Sequence, residues 1–212
     1  MKKFFLMILI VLAPLAAYAD DAVLERPHWS IEVKGGSFAP VLKNWAQYYG
    51  KRSMPEFEGA LAYKLIRQIE VGVSGGYIRG KGHAFAPVHG TTAGSVTYEL
   101  APLNVFVLLR GVINEEQWVV PYAGGGFTRL FYREQVEGQS TVKGSVDGYH
   151  VRGGLQFSLD ALDQSAANSM YLDYGIYHTY LFIEAEYTHA VLRSVSTNLG
   201  GTAYLAGLLF EF

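Results

Sequence analysis

Apolar and polar residues alternate with a period of two along most of the chain, and eight segments read as β-strands on that basis. In segment 28–38, Trp29, Ile31 and Val33 share one face, and Ser30, Glu32, Lys34 and Gly36 the other. Segment 56–65 sets Phe57, Leu61, Tyr63 and Leu65 against Glu58, Ala60, Ala62 and Lys64. Segment 69–79 sets Ile69, Val71, Val73 and Tyr77 against Glu70, Gly72, Ser74 and Gly76. Segment 95–109 is mostly apolar on both faces and contains Pro102; a proline cannot donate to the ladder, which predicts a bulge or register change there. In 118–133, Val120, Tyr122, Leu130 and Tyr132 form one face, and Ala123, Gly125, Phe127, Arg129 and Arg133 the other. Segment 148–159 opposes Tyr149, Val151, Leu155 and Phe157 to His150, Arg152, Gly154 and Gln156, and 179–191 opposes Leu181, Ile183, Ala185 and Tyr187 to Glu184, Glu186 and Thr188. The last segment puts Tyr204, Ala206, Leu208, Phe210 and Phe212 on one face, and Ala203, Leu205, Gly207, Leu209 and Glu211 on the other.

A soluble barrel would turn the apolar faces inward, a membrane barrel outward. Small residues crowd the polar faces (Gly36, Ala60, Gly72, Gly76, Gly125, Gly154, Gly207), and an eight-stranded barrel is only wide enough inside for side chains. Aromatics mark the ends of the apolar faces. Phe57, Tyr77, Tyr132, Tyr149, Tyr187 and Tyr204 predict one girdle, and Trp29, Trp118, Phe157, Phe210 and Phe212 the other, as at the two interfaces of a bilayer. No run of 18 apolar residues follows the N-terminal stretch, so spanning requires a closed barrel. The expectation is an all-β fold, a closed antiparallel eight-stranded up-and-down transmembrane β-barrel with Phe212 facing lipid.

Lys2 and Lys3, the apolar run 4–15 and Ala17-Tyr18-Ala19 before Asp20 have the form of a secretory signal peptide. This divides the chain into a signal peptide, 1–19, and a barrel domain, 20–212. Export puts the mature N-terminus in the periplasm. Connections 39–55, 80–94, 134–147 and 193–199 are then external, and 66–68, 110–117 and 160–178 periplasmic. The last of these is long, and its stretch 161–170 is rich in helix formers, which predicts a short helix.

The signal peptide, the eight alternating segments, the string Pro121-Tyr122-Ala123-Gly124-Gly125-Gly126 and the final Phe212 resemble the small outer-membrane barrels of the OmpW, OmpX and OmpA type. The resemblance covers the mature chain in pattern and implies the outer membrane of a Gram-negative bacterium, with lipid and lipopolysaccharide as surroundings and a monomeric state. It implies that Phe212, Phe210 and Leu208 belong to the signal read by the barrel-assembly machinery. Resemblance to OmpW in particular implies a narrow conduit for small or hydrophobic solutes.

Composition narrows the chemistry. There is no cysteine, hence no disulfide framework or thiol chemistry. A net charge of -2 leaves no electrostatic footprint for nucleic acid. A lipid A deacylase of this fold would carry a His-x-Ser-Asn-like string, but His178 precedes Thr179-Tyr180 and His189 precedes Ala190-Val191. His83 and His89 make a poor metal pair without a nearby carboxylate or thiolate, and Gly124–Gly126 lacks the Lys-Ser/Thr of a phosphate loop. No cofactor, metal or catalytic activity is expected; a lipid-modifying enzyme is the disfavoured alternative.

Two constellations remain. Glu32, Lys34, Glu58, Lys64, Glu70, Arg129, Arg133, Arg152, Glu184 and Glu186 project inward by parity. Paired carboxylates such as Glu184 and Glu186 suit acid–base work, but buried charges must be paired. The favoured expectation is therefore an ion-pair plug of Glu32, Lys34, Glu70, Arg129, Arg152, Glu184 and Glu186, in which Arg152 meets Glu184 or Glu186. The first external loop interleaves aromatic and basic residues, Lys43, Trp45, Tyr48, Tyr49, Lys51 and Arg52. These suit a surface contact to anionic sugars or lipopolysaccharide phosphates, or a hydrophobic lid over the barrel.

Overall fold

A computed structural model describes residues 27–42, 45–49, 52–85, 92–114, 117–138, 140–192 and 196–212. The expected signal peptide, 1–19, lies outside them. Eight strands form the wall: β1 (Trp29–Pro40), β2 (Met54–Ile66), β3 (Ile69–Phe85), β4 (Thr92–Arg110), β5 (Val119–Val136), β6 (Val142–Ser158), β7 (His178–Leu192) and β8 (Gly201–Glu211). Each pairs antiparallel with the next, and β8 pairs with β1, so the sheet closes. Ser30, Ala62, Gly72, Phe106, Gly126, His150, Thr188 and Gly201 are successive ladder partners, and Gly201 returns to Pro40, ten residues along β1 from Ser30. That stagger tilts the strands by about 40°. A two-residue strand, Thr197–Asn198, pairs with the end of β7.

Burial alternates as the sequence predicts for a barrel with lipid outside. On β1, Ser30, Glu32 and Lys34 are buried while Trp29, Ile31 and Val33 are exposed. β5 departs from the expected parity. Val120, Tyr122 and Leu130 are buried in the lumen, whereas Phe127 and Arg129 face outward. Both faces of this strand carry large side chains, so parity alone did not decide which lay inside. Tyr132 therefore leaves the expected girdle, and Phe127 joins Phe57, Tyr77, Tyr149 and Tyr204, all exposed, and the half-buried Tyr187, set at one height by the ladder register and tilt.

Pro102 makes neither bulge nor register change. Pairing with β3 resumes in the same register on either side of it, from Gly75–Leu103 to Ile78–Leu100, and pairing with β5 is continuous through Pro102–Leu130. The ring points inward, and Gly76 opposite leaves the space it fills. Strands β3 to β6 extend well beyond the upper girdle, absorbing most of the loops expected at 80–94 and 134–147. The turn between β5 and β6 contains Gly138, at φ 79°. There the Glu137 carboxylate accepts hydrogen bonds from the Ser95 backbone N–H (3.0 Å) and hydroxyl (3.1 Å). Those bonds hold its pKa below the ordinary carboxylate value.

Among the described residues two helices lie at the ends of the barrel. α1 (Trp45–Tyr49) lies at the end opposite the 67–68 turn. α2 (Gln164–Tyr174) lies on the same end as that turn, in the connection where a helix was expected over 161–170. It starts three residues later because the Asp163 side chain accepts the Ser165 and Ala166 N–H groups, and it ends at Gly175 in the left-handed conformation (φ 69°).

Candidate functional site: a packed lumen

The inward faces stack polar and apolar layers along the barrel axis. Next to the 67–68 turn, Arg110 Nη1 donates to Glu70 (2.7 Å) and Glu211 (2.6 Å), while its Nε and Nη2 donate to Gln156 Oε1 (3.0 and 2.7 Å). Lys64 pairs with Glu211 at 2.5 Å. Arg110 was expected in a turn; it is the last residue of β4, on the inward parity of Asn104, Phe106 and Leu108. Continuing that parity two residues further along the sequence finds it. Above this layer lies an apolar cluster that includes Ala62, Phe106, Leu108, Val120, Phe182 and Leu209.

The waist holds a second ionic layer. Lys34 Nζ reaches Glu184 (2.6 Å), Glu58 (3.1 Å) and Glu186 (3.8 Å). Arg152 Nη1 lies 3.1 Å from Glu32 and 3.5 Å from Glu184, and its guanidinium stacks 4.0 Å from the Phe106 ring. Tyr122 donates to Glu184 Oε2 at 2.8 Å. Carboxyl groups outnumber cations here: Glu32, Glu56, Glu58, Glu184 and Glu186 face Lys34 and Arg152. Glu58 is near Lys34, yet neither of its oxygens receives a well-directed hydrogen bond. A neutral chain crosses four strands at the adjacent level: Asn104 donates to Ser74 (3.1 Å), Thr128 donates to Asn104 (2.8 Å), and Thr128 Oγ1 meets His150 Nδ1 at 2.8 Å. Beyond it Phe38, Met54, Ile78, Tyr98, Leu100 and Leu205 close the far end.

Of the charges assigned to the plug, Glu32, Lys34, Glu70, Arg152, Glu184 and Glu186 lie inside. Arg129 does not: it is outside the barrel, bidentate to Asp147 (2.6 and 2.9 Å), because β5 turns its apolar parity inward. Arg133 is outside for the same reason, 3.8 Å from Glu99. Trp45 of the first loop is buried (5 % exposed), stacked on Tyr49 at 3.7 Å and edge-on to Tyr98. The aromatic pair thus packs as a lid, not as an exposed contact. Arg52 is exposed; Lys43, Lys51 and the Tyr48 side chain lie outside the described residues, and of the histidines considered as a metal pair His83 is on β3 opposite Ser95 while its side chain and His89 lie outside them. Phe212 exchanges backbone hydrogen bonds with Trp29, accepting at 3.0 Å and donating at 2.8 Å; Leu208 and Phe210 share its outward face.

This is the fold of the small outer-membrane β-barrels: eight antiparallel strands, apolar outside and closed on themselves. No protein-family model and no curated protein matches the chain. Solved structures do. It is similar to outer membrane protein OprG of Pseudomonas aeruginosa (TM-score 0.58, 11% identity, covering 88% of this chain and 97% of that one). It is similar also to Neisserial surface protein A (0.54, 14%, 87% and 97%). The N-terminal β-barrel domain of Pseudomonas aeruginosa OprF gives 0.50, 11%, 86% and 97%.

Proposed function

We propose that the protein resides in the outer membrane of a Gram-negative bacterium after removal of residues 1–19, as a non-enzymatic barrel with a structural or surface-interaction role in the envelope. Barrel-assembly machinery inserts it, reading Phe212, Phe210 and Leu208, and it stands as a monomer among lipid and lipopolysaccharide. The observation that carries the closed, structural reading is the dryness of the lumen. A water-filled passage exposes the side chains that line it, but Glu70, Asn104, Leu108 and Leu209 are 0 % exposed and Phe106 and His150 are 1 % exposed. The carboxylates best placed for acid–base work are committed: Glu184 to Lys34, Arg152 and Tyr122, and Glu186 to the neighbourhood of Lys34.

Single-channel recording on the refolded mature chain in planar bilayers tests this. The expected result is a folded, heat-modifiable barrel with no unitary conductance. Steady conductance, or flux of a small apolar solute into proteoliposomes, would overturn the closed reading in favour of a narrow conduit. Hydrolysis of lipid A esters by the same preparation would overturn the non-enzymatic one.

A further inference from the structure

Above the upper aromatic girdle the outer wall is chemically one-sided. On β3 to β6, outward strand positions carry Arg79, Lys81, Arg129, Arg133 and Lys143 against the two acids Glu99 and Asp147. At the same level of β7, β8, β1 and β2, the outward strand positions among the described residues are Ser37, Ala39, Pro55, His189, Val191 and Thr202, none of them Lys, Arg, Asp or Glu, and the described charge nearest to them is the exposed Arg52 just before β2.

The basic residues are ordered by the ladder. Arg79 pairs with Glu99, Glu99 with Arg133, and Arg133 with Lys143, so four charged side chains form a row across four strands. Glu99 takes the Tyr77 hydroxyl at 2.7 Å and holds Arg79 and Arg133 loosely, at 3.6 and 3.8 Å. Both arginine side chains stay about half exposed, 50 % and 56 %, so their remaining N–H groups are available to another anion. Beneath the row, Ala101 and Phe131 floor an outward-facing hollow of about 540 Å³, whose rim includes Tyr77, Arg133 and Lys143.

We propose that this face binds a phosphorylated glycolipid of the outer leaflet, with the phosphates on the Arg79–Arg133–Lys143 row and the first part of an acyl chain over Ala101 and Phe131. The inference rests on the outer-membrane reading above. Three observations select a lipid. The row starts two residues above Tyr77 and climbs to Arg133 and Lys143, each six residues beyond Phe127 and Tyr149 on their strands, so it spans the zone above the aromatic ring that sugar-phosphate headgroups occupy. Arginine forks match phosphate oxygens. The cations edge an apolar floor, which a soluble anion would not need.

The test uses the full mature chain in nanodiscs, with folding established first by heat-modifiability, so that failure to form a barrel is seen separately from failure to bind. The probe is diphosphoryl lipid A titrated into phosphatidylcholine discs. A basic residue near an anionic surface contributes about fivefold in affinity, so Arg79→Gln/Arg133→Gln/Lys143→Gln should weaken binding about a hundredfold. Arg79→Lys/Arg133→Lys should keep most of it, and Asp147→Asn, which frees Arg129, should strengthen it. Should the triple variant not fold, Arg133→Gln alone should lose about fivefold, and wild-type affinity should fall at least tenfold between about 0.05 M and about 0.5 M salt. Unchanged binding by the triple variant, or equal affinity for dephosphorylated lipid A, would overturn the proposal. Competition by millimolar inorganic phosphate would assign the row to a soluble anion instead and overturn the lipid assignment.

Discussion

Replacing Arg110 with methionine removes the hub of the lower ionic layer. The side chain is 4 % exposed, and it serves Glu70 and Glu211, which are 0 % and 2 % exposed, and Gln156 at 1 %. The layer holds Lys64 and Arg110 against Glu70 and Glu211. Removing Arg110 leaves two buried carboxylates with only Lys64, which already sits on Glu211. Breaking a buried ion pair by removing one partner costs about 3–5 kcal/mol, and Arg110→Met should fall in that range. Glu70→Met should cost a similar amount, because it leaves a cation in excess. The double variant Arg110→Met/Glu70→Met restores a balanced layer, Lys64 with Glu211, and inserts apolar volume beside the Phe106 and Leu108 cluster. Exchange of a whole buried pair for apolar groups is often neutral or stabilising, so the double variant should be more stable than either single one, with a coupling of at least about 2 kcal/mol. Equilibrium urea unfolding in lipid vesicles, followed by tryptophan fluorescence and gel mobility, measures all four proteins. Single substitutions costing less than about 1 kcal/mol, or costs that simply add, would refute the argument by showing that water screens the layer from the turn side.

Three further outcomes follow from local geometry. Gly126→Val should block folding, because even a Cβ would overlap the Val105 carbonyl oxygen on the neighbouring strand, whereas at Gly153 the nearest atom to an added Cβ is 3.4 Å away and Gly153→Ala should fold normally; gel mobility after refolding separates the two. Glu137 has a folded pKa below its unfolded value of about 4.3, so its contribution to the β5–β6 turn is fully present above that value and is lost as pH falls through the lower folded one. Protection of the Ser95 amide against exchange, taken relative to the intrinsic rate at each pH, should fall on acidification, and Glu137→Gln should remove that pH dependence. Val107→Arg, at an outward position of β4 paired with Gly125 and well below the upper girdle, should cost about 2–4 kcal/mol in vesicle unfolding, while Thr97→Arg, above the girdle on the same strand, should cost about 0–1 kcal/mol; equal costs would contradict the placement of the bilayer.

Strand existence and most inward faces were legible because lipid outside and a side-chain-wide lumen inside impose opposite chemistries on alternate residues. Where both faces are apolar the rule loses contrast. β4 and β5 are such strands, and the signals missed on them are Arg110, which completes the inward face of β4, and Arg129, which lies outside. Strand ends were misjudged at Lys81, Gln135 and Lys143 for a related reason. Once a strand rises above the bilayer its outward face needs no apolar residue, so the alternation fades although the ladder continues. Helix α2 was legible in kind, and its Asp163 cap fixes where it begins. The partners of Arg152 were only half legible. Its ladder neighbour is Glu186, but the ion pairs run to Glu184 and across the axis to Glu32, since a narrow lumen brings opposite walls within reach of a guanidinium.

The inverted parity of β5 and the one-sided outer wall are the same event seen from two sides. Tyr122 and Leu130 fill lumen volume between the ionic layers and beneath the far-end cluster. With alternate positions of one strand committed to that packing, Arg129 and Arg133 have nowhere to point but outward. An outward arginine at the middle of a bilayer costs about 2–4 kcal/mol, but only about 0–1 near the interface. The sequence meets that constraint by spacing. Below Arg129 the outward residues of β5 are Phe127, Gly125 and Ala123, and the charges begin only above the aromatic ring. Strand neighbours then complete the pattern, with Asp147 beside Arg129, Glu99 beside Arg133, and Arg79 and Lys143 extending the row. Interior packing of β5 therefore fixes which side of the barrel presents cations to the headgroups, and a variant that altered the lumen face of this strand would be expected to move the lipid-binding face with it.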